Sequence, residues 1–197
     1  MFNIFKRKNW KESYELYKPY FDQGYMNCEL AEFGVTEITT NKIIGLSLPE
    51  NQLKNDTKMK RLIESVETKG WTNELPGTLH LYRLPNGNYT VGSGGNHRAY
   101  LANKLRIPKI HAQITIIIPL YIIKKHKAIL DRLDQDIKYN DKSANGLNNW
   151  LQSKGVFRED YEEEQKYKYY CKKYDELVQE RNEFLLQICN KHNMIPT

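Results

Sequence analysis

The chain has 197 residues, of which 40% are hydrophobic and 27% are charged, and its formal net charge is +6. That length suits one well-buried domain with an appended subdomain, and it is too short for two large independent domains. The composition is typical of a globular protein and argues against wholesale disorder, a collagen-like fold and a multi-span membrane protein.

Residues 1–40 predict an N-terminal helical arm. Aromatic residues recur there at steps of three and four positions: Trp10, Tyr14, Tyr17 and Phe21. This spacing is typical of one helix face, and we expect the face to pack against the core rather than to bind a ligand. After the helix we expect an irregular stretch around Gly24 and Gly34.

Residues 41–119 predict an α/β module with a mixed sheet. Its elements, in chain order, are a strand at 42–48, a helix capped by Asp56 or Thr57 and ended by Gly70, strands at 79–84 and 89–91, a helix at 96–105 and a strand at 110–118. Pro-Asn-Gly at 85–87, between two apolar runs, is a strong signal for a hairpin. The alternation of strands and helices therefore predicts a mixed α/β fold.

Residues 120–197 predict a helical subdomain. Its elements are helices at 124–138 and 147–154 around a polar break at 139–145, and then a long final helix. The expected buried stripe of the final helix comprises Tyr167, Tyr170, Tyr174, Leu177, Val178, Phe184, Leu185 and Ile188. This helix could pack on its own module or on a second subunit, so a homo-oligomer formed through it stays open.

The chain contains no segment that we expect to cross a membrane. The longest apolar run, at 114–123, is broken by Pro119 and is far shorter than the roughly 20 residues that span a bilayer. Residues 1–8 also lack the order of a secretion signal, in which charge precedes an apolar stretch. We therefore expect a cytoplasmic protein with no membrane partner.

The cysteines and histidines give no metal or disulfide pattern. Cys28, Cys171 and Cys189 are an odd number without a C-x-x-C spacing, so we expect reduced thiols rather than a disulfide framework or a structural zinc site. The histidines show no H-x-x-x-H spacing, and we expect no transition-metal site.

The most informative segment is a glycine-rich turn at 92–95 with the helix start that follows it. Gly94 and Gly95 have no Cβ, so backbone amides there could approach an anion closely, and the start of the helix adds unpaired amides and a positive dipole end. From Asn96 onward, His97 adds a donor and Arg98 adds a bidentate charged contact. A tight turn that requires positive φ, with His97 and Arg98 merely capping or solvated, explains the same residues and stays open.

A second cluster lies on the predicted helix that precedes the hairpin. Lys58, Arg61 and Ser65 follow one another at i, i+3 and i+7, so they share one strip beside the apolar face. Such a strip could border a cleft that binds an anion. The alternative is the solvated rim of an ordinary amphipathic helix.

These residues resemble a known family. The segment at 94–98, Gly-Gly-Asn-His-Arg, is similar to the G-G-C-H-R signature of sulfiredoxins and to the G-x-R-R or G-x-H-R box of ParB-type proteins. The order of elements over 42–118 and the distance from the signature back to Lys58 are similar too. The resemblance implies a ParB/sulfiredoxin-like fold in which nucleotide phosphates are held at Lys58, Ser65, His97 and Arg98, with Arg61 as a further contact.

The chain also departs from that family at specific positions. Asn96 stands where sulfiredoxins have their catalytic cysteine, and it cannot form a thiolate, so we expect no sulfiredoxin activity. Leu48 stands where sulfiredoxins carry an arginine, so one phosphate contact would be missing. ParB proteins that bind centromere-like DNA continue into a helix-turn-helix domain, and residues 120–154 show no clear version of one.

The resemblance and the residues together predict a nucleotide-binding protein that takes ATP or CTP, with Mg²⁺ as a candidate companion ion. Phosphoryl transfer and a nucleotide-controlled switch both stay open, because both need the same binding site. Some ParB-fold kinases are thought to use an acidic residue as a base near the end of the first strand, and Glu50 is the candidate here. The alternative for Glu50 is a solvent-facing loop residue.

Two other classes of function stay open. The first is a ParB-related DNA-binding or nuclease-like accessory protein, which the net positive charge and the basic runs at 124–127 and 166–173 suggest. The second is a catalytically inactive interaction scaffold, in which Asn96 marks chemistry that has been lost.

Overall fold

The computed structural model describes residues 8–21, 27–72, 75–155 and 162–196. The chain divides into two units. Unit 1 comprises Met1–Leu120 and Cys189–Thr197, and unit 2 comprises Tyr121–Ile188.

Unit 1 is built on a six-stranded mixed sheet in which the strands lie in the order β1-β3-β5-β4-β6-β2. The strands are β1 (Lys11–Glu12), β2 (Cys28–Thr39), β3 (Ile43–Leu46), β4 (His80–Arg83), β5 (Tyr89–Gly94) and β6 (Lys109–Pro119). The helices of this unit are α1 (Ser13–Phe21), α2 (Glu50–Asn55), α3 (Thr57–Lys69) and α4 (Asn96–Lys104). The predicted α/β class with a mixed sheet is therefore confirmed.

The core of unit 1 forms around β6, which has the most continuous apolar sequence in the chain. Ile114, Ile116 and Ile118 of this strand are fully buried. β6 pairs antiparallel with β2 and parallel with β4, so it lies inside the sheet. Its consecutive residues 114–119 are all buried, so both faces of the strand are covered there. A continuous apolar run is typical of such a strand.

Helix α1 covers part of one sheet face. Tyr17 and Phe21 pack with Leu16 and Tyr20 against a cluster that includes Cys28, Leu84 and Ile117. The rings of Tyr17 and Phe21 each lie 5.9 Å from the ring of Tyr82 on β4. The packing role predicted for the aromatic face is confirmed for these two residues, whereas Tyr14 is half exposed.

The prediction for the second half of the N-terminal arm is wrong. Cys28–Thr39 forms a strand of 12 residues, of which Gly34 is part. Gly34 has φ +94° and lies where the register between β2 and β6 shifts. A glycine in this conformation accommodates a bulge, so the position that suggested irregular chain is an interruption within a strand. Gly24 lies outside the described residues.

The predicted helix boundaries before the hairpin are confirmed. The Asp56 side chain accepts a hydrogen bond from the Lys58 amide at 2.9 Å and caps α3. Gly70 has φ +75° and donates its amide to the Val66 carbonyl at the other end. The cap and the stop each act on backbone groups a few residues away in the sequence. The sequence alone was therefore sufficient to locate both helix ends.

Unit 2 contains most of the short helix α5 (Leu120–Ile123), all of α6 (Lys127–Lys154) and most of α7 (Glu162–Lys191), whose last three residues belong to unit 1. The predicted polar break at 139–145 is wrong, because α6 passes through it. Asn140 donates its side-chain amide to the Asp136 carbonyl, and the Ser143 hydroxyl donates to the Tyr139 carbonyl. These polar side chains bond to their own helix and do not end it.

The predicted stripe of α7 is confirmed in part. Leu177, Leu185 and Ile188 are buried, whereas Val178 is exposed. Among the described residues, no helix is both long enough and apolar enough to cross a membrane.

Substitution at the centre of the sheet tests this core. We expect Ile116→Ala to lower the free energy of unfolding by about 2–5 kcal/mol, because it leaves a cavity at a fully buried position. Val35→Ala, at a half-exposed residue of β2, is the control and is expected to change it by less than about 1 kcal/mol. Chemical denaturation followed by circular dichroism measures both, and equal effects of the two variants would contradict this core.

Candidate functional site

The polar residues singled out by the sequence follow two parallel strands. β3 and β5 pair in parallel, so both strands run towards the same edge of the sheet. α2 begins at Glu50, shortly after β3, and α4 begins at Asn96, directly after β5. In open α/β sheets, ligands bind outside the carboxyl ends of such strands.

The turn between β5 and α4 depends on one glycine. Gly95 has φ +91°, and a Cβ atom at this position would lie 2.6 Å from the Cα of Leu79. Gly95 is therefore required by the backbone conformation and by close packing. At Gly94, an added Cβ would lie 3.4 Å from the Thr78 carbonyl, an ordinary contact distance, so the fold itself does not demand a glycine there.

Helix α4 begins with amides that no side chain caps among the described residues. The first backbone hydrogen bond of the helix runs from the Ala99 amide to the Gly95 carbonyl at 2.9 Å. The amides of Asn96, His97 and Arg98 therefore lie in the first turn, where the helix dipole is positive and an anion is favoured.

The Asn96 side chain is turned towards the chain that follows β3. Its Oδ1 accepts hydrogen bonds from the Ser47 amide at 2.8 Å and the Leu48 amide at 3.3 Å, and its Nδ2 donates to Ser47 Oγ at 2.8 Å. Asn96 is buried. This side chain joins the ends of β3 and β5, so only its backbone amide is available to a ligand.

His97 links the starts of α3 and α4. Its Nε2 lies 2.8 Å from Oδ2 of Asp56, the residue that caps α3. The hydrogen bond from the Lys58 amide, and after it the bond to His97, hold the pKa of Asp56 below its usual range. Asp56 is therefore a carboxylate at neutral pH, and it brings Lys58 close to the first turn of α4.

Arg98 extends over the chain between α3 and β4. Its guanidinium donates to the carbonyls of Leu75 at 2.6 Å and Thr72 at 3.2 Å, and to the Thr78 hydroxyl at 3.0 Å. It also lies 5.7 Å from the centre of the Trp71 ring. Partial burial lowers the pKa of Arg98, although an arginine side chain stays protonated in proteins. All these partners are neutral, so among the described residues no carboxylate compensates its positive charge.

A cavity of about 170 Å³ opens beside this guanidinium. Residues of α3, of the chain after it and of α4 line the cavity: Leu62, Ser65, Val66, Gly70, Trp71, Thr72, Leu75, Thr78 and Arg98. Leu62 and Val66 of α3 form an apolar part of its wall, and Ser65, Thr72, Thr78 and Arg98 form a polar part. Ser65 of the predicted strip and Arg98 of the predicted signature therefore border one cavity.

The predicted strip on α3 is exposed along its length. Lys58, Arg61 and Ser65 all face solvent, and α3 contacts α4. Lys58 lies beside the Asp56–His97 pair, and Ser65 lies at the cavity with Arg98. Within the described part of the chain, the side-chain cations of Lys58 and Arg61 form no hydrogen bond or ion pair.

Glu50 lies in the first turn of α2. Its Oε1 is 2.9 Å from the Lys54 ammonium and accepts a hydrogen bond of 3.4 Å from the Tyr100 hydroxyl of α4. The carboxylate is thus held between its own helix and α4. A proton acceptor in this position would exchange one of these partners for a substrate hydroxyl.

The basic run at 166–173 is balanced by carboxylates of its own helix. Lys166 pairs with Glu162 at 2.6 Å, and Lys168 pairs with Glu164 at 3.0 Å. Lys173 lies 3.2 Å from Glu176. These pairs reduce the positive potential that a nucleic-acid backbone would meet along α7.

Sequence reasoning missed Trp71, Thr72 and Thr78 as parts of this site. Trp71 follows the glycine that ends α3, and an aromatic residue directly after a helix stop was the available signal. The roles of Thr72 and Thr78 depend on how the chain folds back onto Arg98, and no local pattern encodes that contact.

The cysteines are free thiols, as predicted. Burial raises the pKa of Cys28 to about 12 and that of Cys189 to about 11. Among the described residues, no group of three His, Cys, Asp or Glu side chains could hold a metal ion. Comparison of the chain with protein-family models, curated proteins and solved structures found no match.

Removal of the Asn96 side chain tests the link between β3 and β5. We expect Asn96→Ala to destabilise the protein by about 1–3 kcal/mol, because two partly buried amides lose their acceptor. Asn96→Asp keeps the accepting oxygens and should cost less. Denaturant titration compares the variants, and equal losses would contradict the role given to Oδ1.

Acid titration tests the Asp56–His97 pair. The pKa of Asp56 is lowered from 3.8 in the folded chain, so its carboxylate stabilises the fold above that pH, and this contribution is lost as the pH falls through the folded pKa. Asp56→Asn keeps a capping oxygen but has no charge. The stability advantage of the wild-type chain over Asp56→Asn should therefore vanish in acid. Carboxyl NMR would contradict the pair if Asp56 titrated at 3.8 or higher.

Proposed function

We propose that this chain binds the phosphates of a nucleoside triphosphate, ATP or CTP, at the start of α4. We call this region the phosphate site: the turn at Gly94–Gly95, the amides of the first turn of α4, His97 and Arg98, with Lys58, Arg61 and Ser65 of α3. The observation that carries the proposal is that, among the described residues, Arg98 is bound only by neutral groups and lies beside a helix start that no side chain caps. An anion is the ligand that such a site favours.

The neutral partners of Arg98 support this reading. A guanidinium paired with a carboxylate would have little charge left for a ligand, whereas hydrogen bonds to carbonyls orient the group and leave its charge in place. Lys58 and Arg61 supply two more cations on the neighbouring helix. A triphosphate carries enough negative charge to engage several cations at once.

The size of the cavity limits what it could enclose. Sites that bury most of a small-molecule ligand have volumes of about 300–1,000 Å³, and the cavity beside Arg98 has about 170 Å³. It could enclose only part of a nucleotide. The remainder would lie over the exposed strip on α3, where Lys58 and Arg61 are free to move towards the phosphates.

The geometry is compatible with either use of a bound nucleotide. For phosphoryl transfer, Glu50 would accept a proton from an acceptor hydroxyl after releasing Lys54 or Tyr100. Mg²⁺, if it accompanies the nucleotide, would neutralise charge on the phosphates, and among the described residues no group of three His, Cys, Asp or Glu side chains could hold it. For a nucleotide switch, binding of the ligand would change the contacts of Arg98 with Thr72, Leu75 and Thr78.

The alternatives predict different behaviour. A DNA-binding or nuclease-like accessory protein would lose affinity steeply as salt rises, and it would not distinguish ATP from CTP. An inactive interaction scaffold would show no stabilisation by any nucleotide. The pairing of the α7 lysines with glutamates favours the nucleotide proposal over binding of nucleic acid along that helix.

Thermal denaturation with ATP, CTP, GTP and inorganic triphosphate, each with and without Mg²⁺, tests the proposal. We expect one nucleoside triphosphate, ATP or CTP, to raise the melting temperature by roughly 5–10 °C at about a hundredfold excess over its dissociation constant. Lys58→Ala and Arg61→Ala should each weaken binding about tenfold by removing a charged contact. Both residues are exposed, so neither change should unfold the chain.

Lys60→Ala is the matched control, because Lys60 is an exposed lysine of the same helix outside the strip. We expect it to leave the nucleotide-induced shift unchanged. No shift with any nucleotide would contradict the proposal, and so would equal effects of Lys60→Ala and Lys58→Ala. Arg98→Ala is less diagnostic, since it also removes the contacts of Arg98 with Thr72, Leu75 and Thr78.

A further inference from the structure

A second polar cluster lies on β2, β4, β5 and β6, outside the phosphate site. Ser93 Oγ lies 3.4 Å from Nδ1 of His80, and Nε2 of the same imidazole lies 2.8 Å from Thr115 Oγ1. The Thr115 hydroxyl lies 3.1 Å from both carboxylate oxygens of Glu32. Four side chains from four strands thus form one hydrogen-bonded chain that ends at an exposed serine.

The direction of the protons in this chain follows from its carboxylate end. A carboxylate only accepts hydrogen bonds, so the single hydroxyl proton of Thr115 points to Glu32. Thr115 Oγ1 must then accept from His80, which places the imidazole proton on Nε2. Nδ1 is left with its lone pair directed at the Ser93 hydroxyl, as a general base requires.

The surroundings of His80 favour a fixed ring. Thr115 is almost fully buried. The His80 ring packs at 5.1 Å on the ring of Tyr82 and lies over Gly92, where an added Cβ would be 2.6 Å from Nδ1. Gln113 donates its side-chain amide to Glu32 at 3.5 Å, which also orients the carboxylate.

A bulge in β5 brings the serine to this ring. His80 pairs with Gly94, and Leu81 pairs with Val91, so Gly92 and Ser93 are additional residues on β5 without counterparts on β4. Bulges re-aim side chains and leave backbone amides outside the ladder. Such amides are the donors that stabilise an oxyanion formed next to a nucleophile.

We propose that Ser93 is an activated nucleophile with His80 as its general base and with Thr115 and Glu32 as positioning residues, and that the site accepts acyl groups from carboxylic esters. Ser93 Oγ forms a bond to the ester carbonyl carbon while its proton passes to His80 Nδ1. The bond to the alcohol oxygen breaks, and the leaving alkoxide takes that proton. Water, deprotonated by His80, then hydrolyses the acyl-serine to the acid and restores Ser93.

An alkyl fluorophosphonate, a reagent that labels activated serines, tests this proposal on the full chain. Ser93 Oγ would form the bond to phosphorus as fluoride leaves, and His80 would take the proton. We expect a single adduct mapped to Ser93 by mass spectrometry and no adduct in Ser93→Ala. His80→Gln should slow labelling about a hundredfold, within the usual contribution of a general base.

Glu32→Gln tests the positioning role of Glu32. It also keeps the proposal testable if His80→Gln fails to fold. A glutamine at this position can donate to Thr115, which would then donate to His80 and move the imidazole proton to Nδ1. We expect slower labelling together with this change of tautomer in the nitrogen NMR spectrum of His80. If Glu32 only stabilised the fold, Glu32→Gln would leave the imidazole proton of His80 on Nε2.

Ser153→Ala is the control, because Ser153 is an exposed serine that donates only to its own helix, at the Trp150 carbonyl. It should label as fast as the wild-type chain. The proposal is overturned if Ser93 gains no adduct, if His80→Gln labels at the wild-type rate, or if Glu32→Gln changes neither the rate nor the tautomer. Nucleotide-induced stabilisation is a separate measurement, so either proposal can fail alone.

Discussion

The parallel pairing of β3 with β5 is the constraint on which the rest of the candidate site depends. Because these strands run in the same direction, the chain leaves both of them at one edge, and α2 and α4 begin there. Asn96 then joins the two strand ends through the amides of Ser47 and Leu48. Asp56 and His97 join the starts of α3 and α4 in the same way.

The positively charged side chains at this edge of the sheet contact neutral groups or lie beside a single carboxylate. Arg98 is oriented by carbonyls and a hydroxyl, and the carboxylate of Asp56 offsets part of the charge of Lys58. Along α7, in contrast, lysines are matched by glutamates one helical turn away. The net charge of +6 therefore does not by itself show where on the chain an anion would bind. A basic residue is informative where its charge stays uncompensated.

β5 contributes to two different arrangements of functional groups. Its end continues into the turn at Gly95 and the start of α4, which no side chain in the described ranges caps. The residues just before this turn form the bulge that directs Ser93 to His80. Two glycines of the stretch at 92–95 are thus required for separate reasons: Gly92 makes room for the imidazole, and Gly95 makes a close approach to Leu79 possible.

Sequence alone determined the elements whose signals are local. The cap at Asp56, the stop at Gly70 and the apolar run of β6 each act through neighbouring residues or through simple burial, so β3 to β6, α3 and α4 could be predicted, whereas α2 was not. The position of the helix start after the glycine-rich turn was predictable for the same reason. Two segments were predicted wrongly. Pairing with β6 made Cys28–Thr39 a strand, and bonds such as that of Asn140 to Asp136 continued α6 as a helix through its polar stretch.

Only the tertiary structure decided which side chains meet. The carbonyls bound by Arg98, the loop held by Asn96 and the chain from Ser93 to Glu32 all join residues distant in sequence. Their contacts depend on strand order, on register and on a bulge. These features result from many weak interactions over the whole sheet. A motif specifies the chemical groups that are present, whereas the packing of the sheet specifies their distances, and those distances determine the chemistry.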